Sequence, residues 1–375
     1  MEIRTLERET HTDCYLTAAA SPGADDLTAA QEIYSAAASL MAQRRIEPII
    51  EKAYGRISRR TDIAAVRRTA FVQHGLSPDL PFVFLEGAPV DRAPFAGLQI
   101  WGVAAHDAKA SLVRSQSLLY GAVARRLDFA GGRLLYAPAI DGLSAGRAAP
   151  PAEQARAMFD RARDLLAAAG FSYRHVVRTW IYLAHILDWY DDFNRVRTEF
   201  FRREGVGADP SRLDFPASTG IQGRAGDAAC VMDLLALDPG TGASVEPIRS
   251  SSRQGHSFDY GSAFSRATDV RYGGRSTIYV SGTASIDRAG KTAHVGDAAA
   301  QAQETLECIG ALLEDRGGGF ANIVQATCFV KHATALAAYD EVVRRLRLPR
   351  IPTVTVLADV CRDDLLIEIE AVAII

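Results

Sequence analysis

Apolar positions along this chain recur on two periods, and the order of the two periods repeats. Alternation of the strand kind fills GGRLLYAPAID at 131–141 and GGRSTIYVSGTASID at 273–287, and both stretches close on Ile-Asp. Helical spacing follows each. Met158, Phe159, Ala162, Leu165, Leu166 and Ala169 end at Gly170, while Leu306, Ile309, Leu312 and Leu313 end at Gly317. A glycine just past the last periodic residue is the expected helix stop. Next come the strands HVVRTWIYLAHI at 175–186 and NIVQATCFVKHA at 322–333, in which Val177 and Val324, like Tyr182 and Phe329, are 147 residues apart. A second helix is predicted in each copy, on Trp189, Phe193, Val196 and Phe200 and on Leu336, Tyr339, Val342, Val343 and Leu346. Closing strands follow at 228–238, AACVMDLLALD, and 365–375, LLIEIEAVAII.

The pattern predicts an α/β chain of the α+β kind, with two fused units at 115–240 and 256–375. Each would pack two helices on one face of a mixed sheet, and the bare faces of two such units can cover one another. The Gly-, Pro- and Ser-rich stretch 241–255 reads as the linker between them. Residues 1–114 form an N-terminal extension with a helix around Leu27 to Arg44; a decayed third unit is the other reading.

In the last strand Glu368 and Glu370 share a face, with Ile367, Ile369 and Ala371 on the other. Alternation alone allows a wet face, the default for an antiparallel strand. Apolar flanks and a like charge would instead raise a carboxyl pKa and make one of the pair a proton donor near neutrality. The counterpart strand offers Val231 or Met232 opposite Glu368, depending on register, so only the C-terminal unit would carry the donor.

Composition narrows the function classes. A net charge of −3 gives no basic field for nucleic acid. No apolar run reaches the length of a membrane span, and the charged start MEIRTLERET is not a signal peptide. Five scattered cysteines without CxxC pairing and eight scattered histidines point to a reducing, cytoplasmic setting with no metal and no cofactor. Four lysines stand against 38 arginines, a supply of bidentate carboxylate binders.

The unit order and the ending IEIEAVAI resemble the RidA/YjgF superfamily. RTWIYLAHILDWYDDFNRVRTEFF at 178–201, FPASTGIQG at 215–223, YGSAFSRATDV at 260–270, STIYVSGTASID at 276–287 and HVGDAAAQAQETLE at 294–307 together resemble the chorismatases, over about residue 85 to the end. That resemblance implies cleavage of the enolpyruvyl ether of chorismate, releasing pyruvate and a ring acid. The ring acid expected first is 3-hydroxybenzoate, with 3,4-dihydroxycyclohexa-1,5-diene carboxylate as the alternative. The resemblance places the general acid at Glu368, with Glu370 as the charge that keeps it protonated. Cys361 matches a cysteine of the 3-hydroxybenzoate-forming branch; a small buried hydrophobe is the other reading. The small residue facing it aligns with Ala267, or with Gly261 if gaps shift.

Two substrate carboxylates call for converging arginines, for which Arg266 and then Arg178 are the candidates, with Tyr260 and Tyr182 as cleft walls. Arg350 lies near the substrate arginine of RidA-type deaminases, though Ile351 and Pro352 precede Thr353 where a Ser or Thr should follow directly. An imine or enamine hydrolase and a non-catalytic binder of small acids stay open as other readings. Units that cover one another within one chain predict a monomer.

Overall fold

The computed structural model describes residues 1–375 apart from 22, 24–26, 108–110, 130 and 208–213. The first unit comprises β1 (Glu2–Glu7), β2 (His11–Ala19), α1 (Thr28–Arg44), β3 (Glu47–Gly55), α2 (Arg60–Gln73), β4 (Val83–Glu86) and β5 (Phe95–Ala105). The second comprises β6 (Val113–Ser117), β7 (Val123–Phe129), β8 (Gly132–Asp141), α3 (Pro151–Ala168), β9 (Val176–Leu183), α4 (Ile186–Glu204), β10 (Ala217–Gln222) and β11 (Cys230–Asp238). The third comprises β12 (Ala243–Ile248), β13 (Ala267–Tyr272), β14 (Arg275–Ala284), α5 (Ala298–Glu314), β15 (Ile323–Val330), α6 (Ala333–Arg345), β16 (Thr353–Leu357) and β17 (Ile367–Ile374).

The α+β class and the fused-repeat architecture are as the periodicity predicts. Gly170 and Gly317, the predicted helix stops, have φ of +77° and +79°, a backbone that residues with a β-carbon rarely adopt. Strand orders are β1-β2-β5-β3-β4, β10-β9-β11-β8-β7-β6 and β12-β13-β14-β17-β15-β16. In every sheet the strand after the second helix runs parallel to the strand between the helices, as β4 to β3, β10 to β9 and β16 to β15. All other neighbours are antiparallel.

The N-terminal segment therefore carries a sheet and a helix pair of its own, arranged like the other two. Its composition hid this, because its strands match neither copy in sequence. The stretch read as a linker contains β12, which pairs with β13 along its whole length.

Three separate apolar clusters lie between each sheet and its own helices. A fourth draws on all three sheets, with Tyr15, Tyr54 and Trp101 from the first, Tyr136, Trp180 and Tyr182 from the second, and Tyr279, Phe329 and Val356 from the third. Each sheet thus buries one face under its helices and the other against its two fellows. Such double burial removes the wet face that alternation allowed for β17, where Glu368 and Glu370 are both 5% exposed.

Register also settles the counterpart of Glu368. Phe329 pairs with Glu368 and Tyr182 with Val231, so the 147-residue offset of the two aromatics makes Val231 the equivalent residue. By the same offset Glu370, opposite Thr327, corresponds to Asp233, opposite Trp180.

Candidate active site

The chain builds a cleft at the seam where β10 of the second sheet meets β14 of the third. Backbone and hydroxyl groups fasten the seam: the Ala217 amide donates to Thr268 Oγ1 (3.0 Å), the Ser218 amide to Ser281 Oγ (2.9 Å) and the Ser265 amide to the Pro216 carbonyl (3.0 Å). About 500 Å³ of open space, solvent included, is lined there by Tyr190, Arg197, Ser218, Gly220, Tyr260, Ser262, Phe264, Arg266, Gly282, Cys361, Arg362 and Glu368, among others.

Glu368 projects from β17 onto Gly282. A β-carbon built on Gly282 would stand 2.0 Å from Glu368 Oε1, so only glycine leaves room for the carboxyl. Among the described residues the Glu368 carboxyl takes no hydrogen bond. Burial raises its pKa, the Glu370 charge raises it further and Arg178 partly offsets both, leaving it at about 8. Glu368 is therefore a neutral acid at pH 7.

Glu370 is in the opposite condition. Its Oε2 accepts from Arg178 Nη2 (2.7 Å) and Thr219 Oγ1 (2.5 Å), and its Oε1 from Thr327 Oγ1 (3.2 Å). Three donors, one of them a guanidinium, hold this side chain in place. One strand thus holds a hydrogen-bonded carboxyl and an unbonded one two residues apart.

Across the cleft stand three guanidinium groups. Arg197 and Arg266 are 1% and 3% exposed, and Arg362 is partly buried. Arg266 Nε donates to the Gly255 carbonyl (3.0 Å), Arg362 Nη1 to the Gly290 carbonyl (2.7 Å) and Arg197 Nη2 to Asn194 Oδ1 (2.6 Å). The Tyr260 ring lies between two of them, its centroid 5.4 Å from Arg266 and 5.7 Å from Arg362. Among the described residues none of the three has a carboxylate partner. Guanidinium groups kept from water without a counterion are costly, and an anionic ligand would offset that cost.

Cys361 lines the same cleft. Burial, then the nearby Glu368, pushes its thiol up to about 12, so it is an undissociated thiol at neutral pH.

A family model described as Endoribonuclease L-PSP matches residues 139–223 and 258–375. A 3-hydroxybenzoate synthase of Streptomyces hygroscopicus is 31% identical over 256 residues, which cover 61% of this chain and 72% of that protein. A chorismatase of Streptomyces rapamycinicus is 32% identical over 234 residues, 56% of this chain and 66% of that one. The chain belongs to the chorismatase family. A chorismatase crystal structure has the same fold, with a TM-score of 0.65 over 98% of this chain and all of that one, at 18% identity.

Within this family member the fold brings together Glu368, Cys361, Arg266 and Tyr260 along one cleft. Ala267 is not with them. It opens β13, just after Arg266, and its side chain lies in the core beneath α5 and α6. Gly261 lies beside the cleft, at φ +90°. Arg178 and Tyr182 face the centre of the molecule: Arg178 pairs with Glu370 and Tyr182 accepts from Lys52 Nζ (3.3 Å). Arg350 is elsewhere, its side chain 80% exposed and paired with Glu2. The offset to Thr353 already hinted at this, since Arg350 precedes β16 by three residues.

Tyr190, Arg197, Ser218, Gly220, Gly282 and Arg362 escaped the sequence reading. Arg197 had a signal: it stands four residues after Phe193 and four before Phe201, a charge inside the apolar stripe of α4. Gly282 had none, because its constraint comes from Glu368, 86 residues away.

Among the described residues no helix is long and apolar enough to cross a membrane, and no group of three or more His, Cys, Asp or Glu is placed to hold a metal ion.

Proposed function

We propose that this chain cleaves the enolpyruvyl ether of chorismate, with Glu368 as the general acid and no cofactor, giving pyruvate and 3-hydroxybenzoate. The observation that carries this reading is a neutral carboxyl, at about pKa 8, facing guanidinium groups that lack carboxylate partners. Chorismate supplies what such a cleft needs: two carboxylates for Arg266, Arg197 and Arg362, and an electron-rich methylene carbon for the acid. Protonation of that carbon by Glu368 gives an oxocarbenium-like centre on the ether carbon. Glu370, two residues away, raises the Glu368 pKa and so helps the donor hold its proton until it is transferred.

The routes to the two ring products diverge after this protonation. Water addition at the oxocarbenium centre, with loss of the ring alcohol, gives 3,4-dihydroxycyclohexa-1,5-diene carboxylate and consumes one water. Aromatisation with loss of a ring hydroxyl gives 3-hydroxybenzoate and consumes none overall. Cys361, an undissociated thiol in the cleft beside the acid, favours the second outcome, as does the similarity to a 3-hydroxybenzoate synthase. Imine hydrolysis is less well supported, since Arg350 is outside the cleft. The setting we assign is cytoplasmic, with the chain working as a monomer.

Incubating the purified chain with chorismate, with pyruvate measured and the ring acid identified by chromatography, tests the reading. Glu368→Gln should lower turnover about 10²- to 10⁴-fold, the span a general acid supplies, while ligand binding persists. No pyruvate from the wild type would overturn the proposal, and wild-type activity in Glu368→Gln would show that Glu368 is not the general acid.

A further inference from the structure

A second cavity lies away from the cleft, where the three sheets face one another. It is lined by Tyr15 and Lys52 of the first unit, Arg178 and Trp180 of the second, and Thr327 and Glu370 of the third, among others. Water-sized molecules can centre in about 30 Å³ of it. A single water needs roughly 10–15 Å³ on the same measure, so this space suits something of one or two heavy atoms.

Its walls hold more donors than acceptors. Lys52 is 3% and Arg178 2% exposed. Arg178 Nη2 is engaged by Glu370 and Thr219, but Nη1 has no partner. Lys52 Nζ lies 3.5 Å from the Trp180 ring centroid and donates only to Tyr182 Oη, at 3.3 Å. The Tyr15 hydroxyl is likewise buried and unpartnered. On the acceptor side Glu370 already serves Arg178, Thr219 and Thr327. Asp233 sits behind Lys52 at 3.9 Å, its oxygens taken by the Tyr136 hydroxyl (3.1 Å) and the Ala139 amide (2.8 Å). The lining thus carries two cations against one carboxylate, with guanidinium, ammonium and hydroxyl hydrogens to spare. Buried donors left unpaired are costly, more so when charged, and their presence calls for a bound acceptor.

We propose that this central cavity is a binding site for a small monovalent anion of halide size, held between Lys52 of the first unit and Arg178 of the second. The anion would tie the N-terminal unit to the pair that carries the catalytic sheet. The inference is independent of the reaction assigned to the cleft.

Crystals of the full chain soaked in sodium bromide, with data collected at the bromine edge, test it. An anomalous peak in contact with both Lys52 Nζ and Arg178 Nη1 is expected, and it should vanish in Lys52→Met while surface bromides remain. Density without anomalous signal there, alongside occupied surface sites, would mean ordered water and would overturn the proposal; so would a peak that survives Lys52→Met. Should Lys52→Met not fold, Tyr15→Phe, which removes one donor, serves in solution. Bromide at constant ionic strength, set against an anion too large for the cavity, should raise the wild-type melting temperature by a few degrees. A smaller rise is expected in Tyr15→Phe, and equal rises in both proteins, or none in the wild type, would also overturn it.

Discussion

Glu368 works as an acid because of what it lacks. It is buried, carries no hydrogen bond from the described residues, and has a second carboxyl two residues away, whereas Glu370 has three donors. A general acid must hold its proton, so kcat/KM should be flat below about pH 8 and fall tenfold per unit above it. Glu370→Gln removes the like charge and frees Arg178, both of which lower the Glu368 pKa. The alkaline limb of the pH–rate profile should therefore move to lower pH, and a limb that stayed or rose would show that Glu370 does not set the acidity. Stability follows the opposite sense. The folded pKa of about 8 exceeds the ordinary 4.5, so the native state keeps a proton that the unfolded chain has lost. Wild-type stability then falls as pH rises from about 4.5 to 8, and Glu368→Gln, which has no such proton, should melt above the wild type at pH 8 and level with it below pH 4.5. Gly282→Ala tests the packing around the same carboxyl. A β-carbon 2.0 Å from Oε1 must push the acid aside, and a displacement of that order costs about 100-fold in turnover. Circular dichroism should remain that of the wild type.

At the scale of elements, what the sequence made legible and what it did not divide by the range of the interaction. Helices and strands of the second and third units came through because their apolar periods and glycine stops are local, as Gly170 and Gly317 show. The pairing Phe329–Glu368 and Tyr182–Val231 is long-range, and only the register chose Val231 over Met232. Arg266 and Ala267 teach the same point: they are adjacent in sequence, yet Arg266 lines the cleft and Ala267 lies in the core beneath α5 and α6. The first unit was obscured for another reason. It repeats the arrangement of strands and helices without repeating the strings, and the shared core asks only for bulky side chains such as Tyr54 and Trp101 facing inward. Cys361, in the loop that leads from β16 into β17, gives this scale its prediction. Because its thiol stays protonated up to about pH 12, it contributes bulk and a weak donor and no thiolate chemistry. Cys361→Ala should keep pyruvate release within about tenfold, a loss of no more than about 1.4 kcal/mol in transition-state binding, while the ring product shifts toward the dihydroxy diene acid. An unchanged product would make Cys361 a packing residue.

The whole molecule has three seams between sheets, and the described residues leave the acid-bearing cleft at one of them. Where the first sheet meets the third, Gly97 and Gly87 lie directly against Val354 and Val356, with no room for a side chain. Where the first meets the second, Arg224 and Glu86 close the contact with two side-chain bonds of 2.8 and 3.0 Å and a backbone bond of 2.8 Å. Only the seam between the second and third sheets has Gly220 and Gly282 on its walls and Glu368 at its base. Fusion makes this asymmetry possible, since three separate sequences can fill two seams and equip the third, whereas three identical chains would have to treat all alike. It also leaves each sheet with no bare face, because the side not covered by helices is buried in the core common to all three. Sedimentation velocity should give one species near 40.5 kDa across a wide range of concentration. A stable trimer would mean that some apolar face is satisfied between chains, and the single-cleft arrangement would then have to be sought at an interface between copies.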